Sequence, residues 1–204
     1  MKDNKYLNAA RVAKEENNYT DAKRFYEMVK MDDPENGEAK YFYAYYTILE
    51  GTKGEVKRNY GDFVNVVGTS IKAIGNSDML DNEKAIILQE MASVAKQLPV
   101  FVLNVLNSIK EPVQLSNQKS LSMLYSFGDS IETAFSNNVS IIENIAVDMW
   151  KAAVELQCKW TAVKFDEKYI DKYSAKIQKY EPTYTPPKVN IVLKILGSIL
   201  KHFG

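Results

Sequence analysis

Apolar residues recur at helical spacing along almost the whole chain. Between residues 5 and 16 they are Tyr6, Leu7, Ala9, Ala10, Val12 and Ala13, and the run closes at Asn17-Asn18, a pair suited to turn or left-handed geometry. Thr20 is placed to cap a second helix that buries Ala22, Phe25, Tyr26 and Val29 and stops at Asp32-Asp33-Pro34. A third helix runs from about Glu38 to Glu50 and is closed by Gly51. A fourth starts near Gly54 and sets Tyr60, Phe63, Val64, Val67, Ile71 and Ile74 at helical spacing. Gly75-Asn76-Ser77-Asp78 then breaks the pattern.

Beyond that break the predicted helices are longer: Asp81 to about Lys110, Ser116 to about Asn137, Val139 to about Phe165, and Asp166 to Tyr180. Pro99 lies inside the first of these and is expected to kink or split it, because proline lacks the donor and clashes with the preceding turn. Glu181 to Pro187 reads as an extended, polyproline-type linker, and Val189 to Phe203 as a last short helix. The expectation is an all-α fold, with helix pairs over 1–75 stacked on a bundle of longer helices over 76–181. A Pro-rich linker (182–188) and a C-terminal amphipathic helix (189–204) follow.

Two helix pairs about 34 residues apart invite a search for a repeat. Residues 3–36 carry Tyr6, Ala9-Ala10 and Ala13, then Asn17-Asn18-Tyr19-Thr20-Asp21-Ala22, Tyr26 and Asp33-Pro34-Glu35-Asn36. Small residues at Ala10 and Ala22 permit close helix approach, and Tyr26 can fill the gap to the next pair. This segment resembles a tetratricopeptide repeat. The next 34 residues repeat it weakly, with Tyr43-Ala44, Gly51, Glu55-Val56 and Tyr60; Val56 stands where alanine is usual. The order of the whole chain, with Tyr180-Glu181-Pro182-Thr183-Tyr184-Thr185-Pro186-Pro187 near its end, is also similar to an uncharacterised group of Firmicutes-type bacterial proteins. Members of that group often begin with a Cys-rich zinc ribbon, for which this sequence has no residues, so no metal role transfers.

The tetratricopeptide resemblance implies peptide binding along the face built by the first helix of each pair. By position that face would carry Leu7, Arg11 and Lys14, then Glu38, Tyr41, Tyr45 and Ile48. The family's chaperone-tail binders grip a carboxylate with Lys and Asn where Leu7 and Arg11 stand here, so chaperone C-termini are not the expected ligand. Two readings stay open for Tyr41 and Tyr45. They face a partner, or the open end of a two-repeat stack docks on the rest of the chain and fills the groove. The run Tyr41-Phe42-Tyr43-Ala44-Tyr45-Tyr46, aromatic all round its helix, suits burial as well as binding.

Composition narrows the chemistry. Lys+Arg and Asp+Glu number 26 each, so no global field points to nucleic acid. One cysteine (Cys158) and one histidine (His202) exclude a disulfide framework and a Cys/His zinc site, and they leave little for acid–base catalysis. Cys158, mid-helix, reads as a small buried hydrophobe. Phosphate-loop, nucleophile-elbow and His-Glu-x-x-His motifs are missing. The expectation is a non-enzymatic adaptor or scaffold with no cofactor, placed in a reducing cytoplasm by the unpaired cysteine and the charged amphipathic start.

The charge is uneven: residues 151–204 carry 10 basic and 5 acidic side chains. Lys164, Lys168, Lys172 and Lys176 repeat every four residues and read as a solvated face, or as a contact for an anionic membrane surface. In the tail, Val189, Val192, Leu193, Leu196, Ile199, Leu200 and Phe203 form one apolar stripe, with Lys194 and Lys201 off it. Such a helix suits a membrane surface, a partner's groove, its own bundle, or exchange with a second copy. At this length, with internal lysines, it is too short to span a bilayer.

Overall fold

Short polar residues start three of the helices. Asn18, Asn36 and Asn138 each accept a hydrogen bond from a backbone N–H of the first turn, of Asp21, Ala39 and Ile141 respectively. Asn18 therefore does the capping expected of Thr20, whose hydroxyl instead reaches the Glu50 carboxylate. Asn17, just before it, takes the left-handed conformation that its pair with Asn18 predicts, at φ 56°.

The computed structural model describes residues 5–160 and 168–188, and every regular element among them is helical. The helices are α1 (Lys5–Glu15), α2 (Tyr19–Asp32), α3 (Gly37–Glu50), α4 (Val56–Gly75), α5 (Asp81–Ser108) and α6 (Gln114–Ala134). Then follow α7 (Val139–Ile141), a π-helical turn (Ile142–Ala146), α8 (Val147–Lys159) and α9 (Lys168–Gln178). Pro99 neither splits nor ends α5, which runs through it as one helix of 28 residues with Pro99 buried.

Helices α1 to α4 pack consecutively, and α6 stacks on α4, α8 on α6, and α9 on α8. Ala10 and Ala22 are fully buried, which lets α1 and α2 approach closely, and Tyr26 stacks on Phe42 with ring centroids 5.4 Å apart. Gly37 brings the start of α3 onto α4: a Cβ there would lie 2.4 Å from the Ser70 carbonyl oxygen. Helix α5 crosses this stack, touching α3, α4, α6, the π turn and α8. It is long and apolar enough to cross a bilayer by length and composition alone, although no run of about 18 uninterrupted apolar residues is present. Here its apolar residues Leu88, Met91, Ala95 and Leu106 are buried in a core that is continuous from Leu7 to Ile177.

The far end of the stack is joined by one carboxylate. Asp129 on α6 accepts from the Trp150 indole N–H at 3.2 Å, the Tyr173 hydroxyl at 2.7 Å and the Lys176 ammonium at 2.8 Å. Trp150, fully buried, thereby gains the partner its indole N–H requires. Residues 181–187 are held along α8 rather than free. Glu181 pairs with Lys151, the Gln178 side chain donates to the Tyr184 carbonyl at 3.0 Å, and the Cys158 thiol lies 3.4 Å from the Pro187 carbonyl. Cys158 is buried, and that burial raises its thiol pKa, so it fits the structural role expected of it.

Two stability effects follow from this frame. Lys110, just past α5, sits at φ 57° while the Glu111 N–H closes back on the Leu106 carbonyl. Lys110→Gly is expected to raise the unfolding free energy by about 0.5–1 kcal/mol, by removing the left-handed penalty at a helix end. A lower urea midpoint would contradict this.

Tyr26, Tyr41 and Tyr60 are held above the ordinary tyrosine pKa of 10.0, chiefly by desolvation. They stay protonated in the folded state, whereas the unfolded chain releases their protons near pH 10. Stability is therefore intact below that pH and falls above it, by about 1.4 kcal/mol per pH unit for each tyrosine. Alkaline titration should show tyrosinate absorbance from these residues rising together with loss of helicity. Titration in a fully helical protein would refute the burial.

Candidate functional site

The inner face of the first two helix pairs is where the resemblance places a groove, and the structure divides its residues sharply. Glu38, Tyr41 and Ile48 are 2%, 0% and 0% exposed, and Leu7 is 5% exposed. The Tyr41 hydroxyl donates to the Met91 carbonyl at 2.6 Å, and its ring meets Phe63 edge-on at 4.9 Å. Tyr41 and Ile48 are thus core residues and line no open groove. The physical cause is that two helix pairs leave an apolar inner face uncovered, and α5 of the same chain covers it. Arg11, Lys14 and Tyr45 keep partial exposure, with the Tyr45 ring 5.0 Å from that of Tyr46.

Glu38 is the centre of this region. It accepts from Arg11 Nε at 3.0 and 3.2 Å, from Arg11 Nη2 at 2.6 Å, and from the Tyr26 hydroxyl at 3.0 Å. This carboxylate raises the Arg11 pKa through its hydrogen bonds. Lys14 pairs with Glu90 of α5 and lies 4.4 Å from the centre of the Phe42 ring, so α1 and α5 are joined by charge.

Two clefts remain open on either side of Glu38, and Glu38 and Met79 border both. The larger, of about 560 Å³, lies between the start of α3 and the end of α4. Its apolar floor is Leu7, Ala73, Ile74 and Met79, and its carboxylates are Asp33, Glu35, Glu38 and Asp78, with no lysine or arginine in the lining. The smaller, of about 200 Å³, lies between α1 and α5. It is lined by Arg11, Lys14, Glu15, Glu83 and Glu90, with Ile86 and Ile87 as its apolar part. Ile86 is 61% exposed. Across the two clefts seven carboxylates face two basic side chains.

Of the residues expected from the sequence, this site retains Leu7, Arg11, Lys14 and Glu38. It adds Asp33 and Asp78, which carried only turn or helix-stop signals, and Met79 and Ile86, which carried no site signal. Val192, Leu193, Lys194, Leu196, Ile199, Leu200, Lys201 and Phe203 lie outside the described residues, as does Lys164. In the rest of the lysine ladder Lys168 and Lys172 are exposed, as a solvated face requires, and Lys176 departs from it. Lys176 turns onto α6, pairing with Asp129 and Glu132, and Lys172 lies 4.8 Å from the centre of the Tyr173 ring.

Comparison with protein-family models, with curated proteins and with solved structures found no match for this chain.

Proposed function

We propose that the protein is a tetratricopeptide-like interaction module that holds a basic, apolar-anchored segment of a protein partner in the clefts around Glu38. The observation that carries this reading is an apolar floor beside a rim with the exposed carboxylates Asp33 and Asp78 in the larger cleft, where Glu38 already holds Arg11 and Glu35 pairs with Lys40. A lysine- or arginine-bearing segment would gain complementary potential along that rim, and its apolar residues would bury against Leu7, Ile74 and Met79. The consecutive packing of α1 to α4 and the buried Ala10, Ala22 and Tyr26 support the repeat-like character of the scaffold. Because α5 occupies the central part of the inner face, recognition belongs to its two open margins and not to Tyr41 or Ile48.

Charge reversal tests the reading. The full chain and its Asp33→Lys/Asp78→Lys variant would each be used to capture partners from lysate, with crosslinking to map the bound segments. Both positions are exposed, so the variant should fold. The expected result is a partner crosslinked through a basic segment to residues near 33–38 and 76–79, captured at least about tenfold less by the variant. Equal capture by both proteins, or crosslinks confined to other surfaces, would overturn it.

A further inference from the structure

On a different surface, between α2, α3 and α4, lies a cleft of about 420 Å³ whose charge is opposite to that of the inner face. Lys30, Lys40 and Arg58 line it, against a single carboxylate, Asp62. Lys30 Nζ sits 3.7 Å from the centre of the Tyr43 ring, which fixes the ammonium over an aromatic face. Among the described residues Lys30 forms no ion pair, whereas Lys40 pairs with Glu35 and Arg58 with Glu55. Those partners are rim groups: the Glu35 side chain is 86% exposed and the Glu55 side chain 45%, so both cations can be redirected at little cost. Burial lowers the Lys30 pKa, the nearby Glu27 carboxylate opposes that shift, and the facing Lys40 adds to it. The wall between the cations is Tyr43, Ala44, Thr47 and Val66.

We propose that this cleft binds a phosphate monoester, with the phosphoryl group held by Lys30, Lys40 and Arg58 and its organic part against Ala44 and Val66. The charge supports an anion: once Lys40 and Arg58 turn from the rim carboxylates Glu35 and Glu55, three cations stand against Asp62 alone, and a phosphate monoester near neutral pH carries about −1.5 to −2. Size points the same way. A cavity of about 420 Å³ exceeds what inorganic phosphate fills and falls within the range of small-molecule sites, so an attached organic group has room. Arginine adds a planar fork for two phosphate oxygens, and the two lysines act as point charges.

The test is an amide-shift NMR titration of the full chain with inorganic phosphate, phenyl phosphate and sodium chloride at matched ionic strength. Phosphate is expected to move the amides of Tyr43, Thr47 and Asn59, with phenyl phosphate binding about tenfold more tightly through the apolar wall. Lys30→Gln should weaken phenyl phosphate about tenfold. Arg58→Gln, at a side chain 70% exposed and so without consequence for folding, should weaken it severalfold. Shifts reproduced by chloride, or an Arg58→Gln protein that binds phenyl phosphate as the unaltered chain does, would overturn the assignment.

Discussion

Glu38→Ala is expected to lower the unfolding free energy by about 2 kcal/mol, because it breaks a part-buried ion pair and leaves the buried Tyr26 hydroxyl without its acceptor. The two partners respond differently. The Arg11 side chain is 34% exposed and can turn to water, but Tyr26 is fully buried, and its hydroxyl loses the acceptor at 3.0 Å. The loss should therefore be carried mainly by Tyr26. Adding Tyr26→Phe to the Glu38→Ala protein should recover about 1 kcal/mol, although Tyr26→Phe alone destabilises. Urea unfolding of the four proteins in this cycle checks both statements. A Glu38→Ala protein within about 0.5 kcal/mol of the unaltered chain would show that Glu38 is not the centre of the α1–α2–α3 contact.

Gly128→Ala is the second large effect, and its sign opposes intrinsic propensity. Alanine in the middle of α6 would ordinarily favour the helix by about 1 kcal/mol. Here a Cβ at position 128 would stand 2.3 Å from Trp150 Nε1 and 2.6 Å from Trp150 Cδ1. Trp150 is fully buried, with Lys176 and Tyr180 against its ring, so it cannot move aside without opening the α6–α8 contact. Moving the indole also breaks its hydrogen bond to Asp129, which holds Tyr173 and Lys176 of α9 as well. A net destabilisation of about 2 kcal/mol is expected, with a change in tryptophan emission. An unchanged melting temperature would contradict the packing of α6 on α8.

Much of this architecture is legible from local signals, because helices are specified by neighbours in sequence. Apolar spacing, Asn17-Asn18, Asp33-Pro34 and the break at Gly75-Asn76 all mark real boundaries. The departures have tertiary causes. Pro99 does not interrupt α5, whose flanking residues Leu98 and Val102 are both buried in the core. Tyr41 reads equally as a binding or a buried residue until Met91, fifty positions later, supplies its acceptor. The larger cleft is assembled from the ends of α2 and α4, so Asp33 and Asp78 carry only stop signals in the sequence. Asp129, which joins three helices, has no local pattern at all. The basic cleft is equally hidden, since Lys30, Lys40 and Arg58 come from three helices and meet only when α2, α3 and α4 pack.

The acidic margins of the inner face are expected to recognise a basic segment with apolar anchors. The most direct test is an amide-shift titration of the full chain with a short peptide alternating lysine and leucine, beside the same peptide with glutamate for lysine. The lysine peptide is expected to move Asn36, Gly37, Asn76, Ser77 and Met79, and the glutamate peptide is not. Shifts absent from these residues, or equal for the two peptides, would contradict this recognition.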